Sequence, residues 1–520
     1  MKTLIGLLNL AQQHVVGGDL KSAREALHSA LAQAPEHPGA LLQLSYVESL
    51  SGHYRFAQEY ALRAHATQPR DASTLMELAR RLRTFNQVAA LHECLRELPP
   101  LRQTGIPVLL SFGAQLSYLN EQERALELLD EAKRGDPDYP PTLIARGQVL
   151  TYLGRFDEAE ADLLRCTRRA PELASAWWAL SRLRRQAAES NHIDAIRKQL
   201  AVPGRRAEDV ALLGYALHKE YDDLGETRHA WQALELACRA KRSTLRYAKE
   251  ETRALVDALM AMPVPTVPSV DPAPAEGPVP IFIVGMHRSG TTLLEQLLDG
   301  HAAVRGLGEL YDFTSQMRHA ADHHCRGVID GVMVERASQV DFRAAGAGYL
   351  DGIAWRLGDE RFFTDKLPSN FLNIGFICRA LPNAKILHMR RDPMETCFSN
   401  LRELFSDANA YSYDQGELAD YHRQYQRLMA HWHRSFPGRI HDVDYGELTV
   451  NPEAVLRGVS AFCGLDFEPG MLDLHSRTRG VATASAVQVR QRLARPERPK
   501  WTAYAPWLGS LQAALRPDVL

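Results

Sequence analysis

The sequence contains few cysteines, and they are widely separated. The seven cysteines lie at positions 94, 166, 238, 325, 378, 397 and 463, and none of them forms a CxxC pair. An odd number of scattered cysteines argues against a disulfide-stabilised scaffold and favours a reducing compartment. We therefore expect a cytoplasmic protein.

Long apolar runs and an excess of charge are also missing. No stretch of the sequence reaches the roughly 18 to 20 uninterrupted apolar residues that a membrane-spanning helix needs. The 61 Lys and Arg residues nearly balance the 63 Asp and Glu residues, which leaves a net charge of −2. A chain with this balance lacks the basic character of a general nucleic-acid or membrane-surface binder. We expect no membrane span and no nucleic-acid partner, so any anion site must come from a local cluster.

What the chain does have is the size and composition of a multidomain globular protein. It has 520 residues, of which 45% are hydrophobic and 24% are charged. At about 150 residues per domain, this length predicts two to four domains. The hydrophobic fraction is typical of folded chains and not of disordered ones.

The first half of the sequence repeats itself every 34 residues. Gly18, Gly52, Asn120 and Gly154 are each followed by small residues five and twelve positions later and by a proline seventeen positions later. The small residues and prolines are Ala23, Ala30 and Pro35, then Ala57, Ala64 and Pro69, then Ala125, Ala132 and Pro137, then Ala159, Cys166 and Pro171. A weaker unit around Asn86 and Leu91 keeps the register, and Gly225, Ala230 and Ala237 begin a slightly shifted one.

This pattern resembles the tetratricopeptide family, whose repeat is a helix–turn–helix of 34 residues. Small residues let the two helices approach closely, glycine or asparagine permits the turn, and proline ends the second helix. Each unit buries its apolar face only against its neighbours, so an array is required. The resemblance implies an α-helical superhelix over residues 1–260. Its concave face is a candidate surface for a protein partner, and the array is a candidate for forming a homodimer.

A proline-rich segment separates this half from the rest of the chain. Residues 261–280 contain seven prolines in twenty positions. Such a segment favours a semi-rigid extended spacer over a helix or a sheet interior. We place a linker here and a second domain over residues 281–520.

The second domain begins with a pattern typical of a phosphate-binding loop. Ile281–Val284 is an apolar run that predicts a buried parallel strand, residues 285–290 form a polar turn, and apolar residues at helical spacing follow Thr291. A strand, a glycine-bearing loop and a helix together cradle phosphate. Nucleotide triphosphatases have a lysine in the motif GxxxxGK[ST], whereas GMHRSGTT has Thr291 in its place. The motif therefore favours a phosphate group that is not itself transferred.

Further polar elements follow this loop in a fixed order. Glu309 lies in GLGELYDF, Lys366 in FFTDKLPSN, and Arg391 and Ser399 follow the strand-like run 385–389. The later residues with a candidate role are Arg402, Tyr445, Ser485 and Lys500. The stretch 477–500 has seven basic residues and one acid, as a local anion site in a nearly neutral chain requires.

Together these elements resemble the sulfotransferases that use 3′-phosphoadenosine 5′-phosphosulfate (PAPS). The likeness covers residues 280–505 and is closest to the tyrosylprotein sulfotransferase-like group, which includes bacterial members fused to tetratricopeptide arrays. It implies a P-loop-like α/β domain with a mostly parallel sheet. It also implies transfer of a sulfuryl group from PAPS to an acceptor hydroxyl, with a protein tyrosine as a candidate acceptor and no required metal.

The resemblance also implies a role for each residue. The loop residues Arg288, Ser289, Gly290, Thr291 and Thr292 are expected to bind the 5′-phosphosulfate. Glu309 is the expected base, and Lys366 together with Arg288 is expected to stabilise the departing phosphate.

The remaining roles concern the nucleotide. Arg391 and Ser399 are expected to bind the 3′-phosphate, and Arg402 is displaced by one position from a further arginine of the family. Tyr445 is expected to contact adenine. Ser485 and Lys500 match a loop that closes over the donor, and Ser485 is also counted among the catalytic residues.

Two further features bear on this interpretation. His287 stands where the family loop usually has proline, so its effect on the loop is open. The cluster His319, His323, His324 and Cys325 resembles a metal site, because histidines at i and i+4 share a helix face. The chemistry that the resemblance implies needs no metal, and we expect no metal there.

Two other function classes remain as alternatives. A nucleotide kinase or hydrolase needs a loop lysine and a magnesium carboxylate; Asp392 is a candidate for the latter, but two arginines precede it. A non-catalytic scaffold would combine the repeats with a donor-binding domain that performs no transfer.

Overall fold

The computed structural model describes residues 3–263, 277–474, 479–483, 485–490 and 498–515. Within these residues, the chain is helical before the proline-rich segment, and five strands alternate with helices after it. The helices before the segment are α1 (Leu4–Val16), α2 (Leu20–Gln33), α3 (Pro38–Leu50), α4 (Tyr54–Ala66), α5 (Ala72–Thr84), α6 (Val88–Arg96), α7 (Ile106–Tyr118), α8 (Gln122–Gly135), α9 (Pro140–Leu153), α10 (Phe156–Arg169), α11 (Ala174–Arg182), α12 (Ile193–Leu200), α13 (Ala207–Asp223), α14 (Thr227–Ser243) and α15 (Lys249–Ala261).

The helices after the segment are shorter on average and are interrupted by strands. They are α16 (Thr291–Leu298), α17 (Asp312–Ala320), α18 (Gly331–Glu335), α19 (Phe342–Ile353), α20 (Ile374–Ala380), α21 (Pro393–Leu401), α22 (Gln415–Ser435), α23 (Tyr445–Val450), α24 (Pro452–Cys463) and α25 (Gly509–Leu515). Short 3₁₀ turns cover Leu101–Gln103, Arg336–Gln339, Ala354–Arg356, Pro368–Asn373, Asp407–Tyr413, Pro469–Leu472, Gln488–Arg490 and Lys500–Trp507. No described helix combines the length and the apolar character that a membrane crossing requires.

The helical half has the repeating hairpin geometry that the sequence predicts. The backbone is left-handed at Gly18, Gly52, Asn86, Asn120 and Gly154, with φ of 77°, 81°, 54°, 64° and 77°. These positions are 34 residues apart, and each joins the two helices of one hairpin. Glycine and asparagine adopt this conformation at the least cost, which explains why they recur. The resemblance to tetratricopeptide proteins is thereby confirmed, including the weak unit at Asn86.

Small residues are buried where the paired helices meet. Ala23, Ala57, Ala125 and Ala159 have no exposed side-chain surface. The shifted unit has the same design in its hairpin of α13 and α14, which turns at Gly225 with φ of 76°. There a Cβ on Gly214 would lie 2.8 Å from the Cβ of Ala237.

The second half contains a five-stranded, wholly parallel sheet. The strands are β1 (Val279–Gly285), β2 (Val304–Gly306), β3 (Phe362–Asp365), β4 (Lys385–Arg390) and β5 (Ile440–Asp444), in the order β2-β3-β1-β4-β5. Ile281 is in register with Lys385, Val279 and Val304 with Phe362, and Ile386 with Ile440. The predicted α/β domain with a mostly parallel sheet is confirmed.

The core of this domain forms around the central strand. Every residue of β1 is buried, and so is every residue of α16. The cluster joins Ile283 of β1, Leu294 of α16, Leu387 of β4 and Leu456 of α24. A central strand of a parallel sheet has helices on both of its faces, which explains the uninterrupted apolar run in the sequence.

The contacts of the chain divide it into two compact units. One contains residues 1–137 and 311–355, and the other contains residues 138–310 and 356–520. This division differs from the predicted boundaries at residues 260 and 280. The middle of the predicted linker, residues 264–276, lies outside the described residues, and β1 begins at Val279, before the predicted domain start.

Side-chain contacts within each unit explain the division. In the first unit Tyr54 of the second repeat shares a hydrogen bond of 2.8 Å with Ser315 of α17. In the second unit Arg242 of α14 forms an ion pair of 2.8 Å with Glu417 of α22. Such pairing depends on the tertiary fold and has no periodic signal in the sequence.

The close approach of α13 and α14 generates a prediction. We expect Gly214→Ala to lower the free energy of unfolding by about 1–3 kcal/mol, because the new methyl group would overpack against Ala237. The matched control is Gly458→Ala in α24, where a Cβ meets nothing within 4 Å. That change should raise the free energy of unfolding by roughly 0.5–1 kcal/mol through helix propensity. Urea denaturation of both variants checks this, and equal stabilisation by both would contradict the packing.

Candidate active site

A predicted site residue follows the carboxyl end of every strand of the sheet. The loop 286–290 follows β1, Lys366 directly follows β3, Arg391 follows β4 and Tyr445 follows β5. Glu309 lies three residues beyond the end of β2. The carboxyl ends of parallel strands meet at one edge of a sheet, which is where open α/β folds bind ligands.

The phosphate-type loop has a tightly constrained backbone. Gly285, Arg288 and Gly290 have positive φ of 152°, 65° and 110°. A Cβ on Gly285 would lie 2.7 Å from the carbonyl oxygen of Met389, and a Cβ on Gly290 would overlap the ring of Tyr445. Glycine is required at both positions because the loop packs directly against β4 and the start of α23.

A cavity of about 260 Å³ opens above this loop. The predicted site residues that line it are Arg288, Gly290, Thr291, Thr292, Glu309, Arg391, Tyr445 and Ser485. Ser289 is also part of the loop, and its Oγ is buried with no hydrogen-bond partner. The cavity thus brings together residues from five separated segments of the sequence.

Arg288 is the point at which several of these segments meet. Its Nε donates to Ser399 Oγ at 3.3 Å, its Nη1 to Ser485 Oγ at 2.7 Å and its Nη2 to Gln488 Oε1 at 2.5 Å. The carboxylate of Glu403 lies 3.7 Å from Nη1. Gln488 was missed at the sequence level because it meets Arg288 across 200 residues of chain, which no local pattern records.

The electrostatic surroundings of Arg288 suit an anion. Burial lowers the pKa of Arg288, Glu403 opposes that effect, and the nearby Arg182, Arg391 and Arg402 lower the pKa further. Mutual repulsion among cations is relieved when a negative charge enters their midst. The cavity is therefore chemically suited to a phosphate or sulfate group.

Glu309 and Lys366 form a close pair at the cavity. Lys366 Nζ donates to Glu309 Oε1 at 2.7 Å, and the lysine side chain is fully buried. The backbone holds the pair in place, since the Lys366 amide donates to the Gly308 carbonyl at 2.9 Å. The Gly308 amide in turn donates to Glu295 of α16 at 2.7 Å. A carboxylate and an ammonium group are thus fixed side by side at the edge of the sheet.

Arg391 joins the phosphate-type loop to Tyr445. Its Nη1 donates to the carbonyl oxygen of Arg288 at 3.1 Å, and its Nε donates to Glu395 at 3.1 Å. The guanidinium carbon lies 4.5 Å from the centre of the Tyr445 ring, which is a cation–π contact.

The structure does not bring Arg402 and Lys500 to this cavity. Both contact Asp222 of α13 instead, at 2.7 Å and 2.5 Å, and Tyr504 also donates to this carboxylate at 2.6 Å. Burial alone would raise the pKa of Asp222, but Arg402 and Lys500 hold it well below its ordinary value. Arg402 and Lys500 contact Asp222 because its carboxylate, which is almost fully buried, requires compensating cations. Arg402 follows the last residue of α21 and is directed to that carboxylate.

His287 has a structural role in the loop. Its Nδ1 lies 3.2 Å from the hydroxyl of Tyr411, and its carbonyl accepts a 2.8 Å hydrogen bond from Asn400 Nδ2. Burial lowers the pKa of His287 to about 4, and the charges of Lys366 and Arg288 act in the same direction. The imidazole is therefore neutral at physiological pH and adds no charge to the cavity.

Two of the histidines that resemble metal ligands, His319 and His323, are engaged in hydrogen bonds. His319 Nδ1 lies 2.9 Å from Gln58 Oε1, and His323 Nε2 lies 2.7 Å from Asp330 Oδ2. Within the described part of the chain, the side chains able to hold a cation together are His388, His433 and Asp442. Both rings contact the same oxygen of Asp442, at 2.7 Å and 2.9 Å.

The basic residues Arg477, Arg492 and Arg495 of the C-terminal stretch lie outside the described residues.

Comparison with known proteins identifies a domain in the second half of the chain. Residues 280–469 match the model of the Sulfotransferase family. The chain carries a sulfotransferase-family domain. This domain coincides with the sheet and with all of the cavity-lining segments except the C-terminal one.

Individual relatives cover different parts of the chain. An uncharacterized protein of Aquifex aeolicus is 30% identical over 400 residues, which are 75% of this chain and 52% of that protein. Protein-tyrosine sulfotransferase 2 of Gallus gallus is 24% identical over 249 residues, which are 46% of this chain and 66% of that protein. The chain thus spans about half the length of the Aquifex relative. A sulfotransferase structure from Alicyclobacillus acidocaldarius aligns at 21% identity over 47% of this chain and 98% of that one, with a TM-score of 0.27.

The buried His287 of the sulfotransferase-family domain generates a pH prediction. The unfolded chain binds a proton at the ordinary pKa of 6.5, whereas the folded chain binds it only near pH 4. The contribution of neutral His287 to the free energy of unfolding is therefore complete above pH 6.5. It is lost as the pH falls towards 4, by up to about 1.4 kcal/mol per pH unit. We expect His287→Gln to make the acid-side loss of unfolding free energy shallower. Urea unfolding at several pH values checks this, with the exposed His28→Gln as a control that should keep the wild-type slope.

Proposed function

We propose that the protein transfers a sulfuryl group from PAPS to an acceptor hydroxyl at this cavity. The observation that carries the proposal is the 2.7 Å pair of Lys366 and Glu309 beside a phosphate-type loop. A general base and a cation held next to an anion-binding loop are what a sulfuryl transfer needs.

The donor would be held by residues that line the cavity or touch those that do. Arg288, Thr291 and Thr292 would bind the 5′-phosphosulfate at the start of α16, where the helix dipole favours negative charge. Two observations support the fit of an anion there: the electropositive surroundings of Arg288 and the unpartnered, buried Oγ of Ser289.

The nucleotide end of the donor would lie towards α21 and α23. Arg391 and Ser399 would bind the 3′-phosphate, for which a forked guanidinium is well suited. Tyr445 lines the cavity and would contact adenine, and Ser485 would cover the donor from the C-terminal segment. We leave Arg402 and Lys500 outside the donor site because both already compensate Asp222.

The proposed reaction exchanges one S–O bond for another. Glu309 accepts the proton of the acceptor hydroxyl as its oxygen forms a bond to sulfur, and the bond between sulfur and the bridging oxygen of the donor breaks. The products are the sulfated acceptor, 3′-phosphoadenosine 5′-phosphate and the proton on Glu309. Lys366 and Arg288 stabilise the negative charge that develops on the departing phosphate.

The acceptor and the partners belong to the same proposal. A protein tyrosine is our candidate acceptor, by analogy with the relative named protein-tyrosine sulfotransferase 2. The repeat hairpins would supply a surface for a protein partner or a second copy of the chain. The scattered and buried cysteines support a cytoplasmic location.

Two substitutions test the chemistry without removing the site. Glu309→Gln keeps the shape and a hydrogen-bonding oxygen, but it removes the base, so we expect turnover to fall by about 100-fold to 10,000-fold. Lys366→Met should lower turnover by at least about 100-fold, because it removes charge stabilisation in the transition state. Turnover is measured with labelled PAPS and tyrosine peptides, and the exposed Glu453→Gln is the control. Wild-type turnover in Glu309→Gln would contradict the assigned base.

Nucleotide binding separates this proposal from a kinase or hydrolase. We expect 3′-phosphoadenosine 5′-phosphate to raise the melting temperature in the presence of EDTA, and ATP with Mg²⁺ to leave it unchanged. A micromolar ligand at millimolar concentration adds roughly 4 kcal/mol of stability. Stabilisation by ATP with Mg²⁺ alone would favour the other enzyme class. Binding without transfer to any acceptor would favour the scaffold.

A further inference from the structure

The C-terminal segment that borders the cavity is attached at both of its ends. We call residues 479–483 and 485–490 the strap. At one end Arg479 donates to the Gly306 carbonyl at 2.7 Å and lies 3.3 Å from Asp299. In the middle Ser485 and Gln488 accept hydrogen bonds from Arg288. The strap is thus a wall of the cavity that contacts the phosphate-type loop directly.

Both ends of the strap are also attached to the hairpin of α9 and α10. The carbonyl oxygen of Tyr152 accepts from the Val481 amide at 2.8 Å and from Arg490 Nη2 at 2.9 Å. Arg490 also donates to the carbonyls of Arg479 and Ala486, at 3.2 Å and 3.0 Å. One guanidinium group therefore ties two parts of the strap to the turn of a repeat hairpin.

Gly154, which forms that turn, is packed against Arg490. A Cβ at this position would lie 2.7 Å from Arg490 Nε and 3.2 Å from its Cδ and Cζ. Gly225 makes the corresponding turn between α13 and α14 with nearly the same φ, and a Cβ there would meet nothing within 4 Å. The absence of a side chain at position 154 therefore serves the contact with the strap as well as the turn.

We propose that the turn at Gly154 positions the strap through Arg490 and thereby sets the affinity of the cavity for the donor nucleotide. Gly154 and Arg490 are positioning residues, since neither lines the cavity. The repeat hairpin of α9 and α10 then supports a wall of the donor site and is not only a separate binding array. This inference rests on the proposed function in one respect, the identity of the ligand.

A double-mutant cycle with a matched control tests the inference. The variants are Gly154→Ala, Arg490→Gln, the double variant, and Gly225→Ala as the control with the same backbone strain and open space. The dissociation constant of 3′-phosphoadenosine 5′-phosphate is measured by calorimetry, and the hydrogen exchange rate of the Val481 amide by NMR or mass spectrometry. Because the attachment depends on the guanidinium group, we also expect Arg490→Lys to weaken nucleotide binding as much as Arg490→Gln does.

We expect Gly154→Ala and Arg490→Gln each to weaken nucleotide binding about tenfold, and the double variant to weaken it by the same factor and not a hundredfold. Gly225→Ala should lower the melting temperature about as much as Gly154→Ala and leave binding within about twofold of wild type. The Val481 amide should exchange faster in Gly154→Ala and Arg490→Gln only.

Two outcomes would overturn the inference. One is wild-type affinity and wild-type Val481 exchange in both single variants; the other is multiplied effects in the double variant, which would mean that the two residues act independently. Failure of the proposed donor identity is distinguishable, because wild-type protein would then not bind the nucleotide at all. The Val481 exchange rates would still report on whether Gly154 and Arg490 hold the strap.

Discussion

The rest of the site depends on the contacts that the side chain of Arg288 makes. It extends from a loop whose left-handed backbone is enforced by close packing on β4 and Tyr445. Its three nitrogens contact α21 and the strap, and Arg391 donates to its carbonyl oxygen. Because one buried guanidinium connects these segments, a change in the position of any of them is transmitted to the loop. The cavity is therefore a property of the whole second unit and not of the loop alone.

Carboxylates in and near the site decide which cations face the cavity. Asp222 holds Arg402 and Lys500, and Glu309 holds Lys366 at the cavity edge. Arg288 has mainly hydroxyl and amide partners, with Glu403 at a longer distance. Compensation by a nearby acid is the rule for buried charge, so a cation whose closest partners are neutral is suited to receive an anionic ligand. This distribution of acids explains how a chain with almost no net charge can still offer an electropositive cavity.

The positions of the site residues relative to the strands were predictable, whereas some contacts were not. The loop after β1, Lys366, Arg391 and Tyr445 each follow a strand, and parallel strands bring such positions to one edge. Arg402 and Lys500 were expected at the same place, but their positions depend on Asp222, which lies in the repeat half of the sequence. Gln488 and Arg490 act through contacts with residues hundreds of positions away, which no spacing rule captures.

The sequence by itself determined the helical hairpins, the parallel sheet and the phosphate-type loop. These features follow from local rules: a turn residue every 34 positions, an apolar run for a buried strand, and glycines where the backbone is left-handed. Only the tertiary structure decided that residues 311–355 belong with the first repeats, and that residues 138–260 belong with the sheet. The tertiary structure also decided which acidic side chain pairs with which basic side chain. Such choices depend on contacts between distant segments, and a local pattern has no means of recording them.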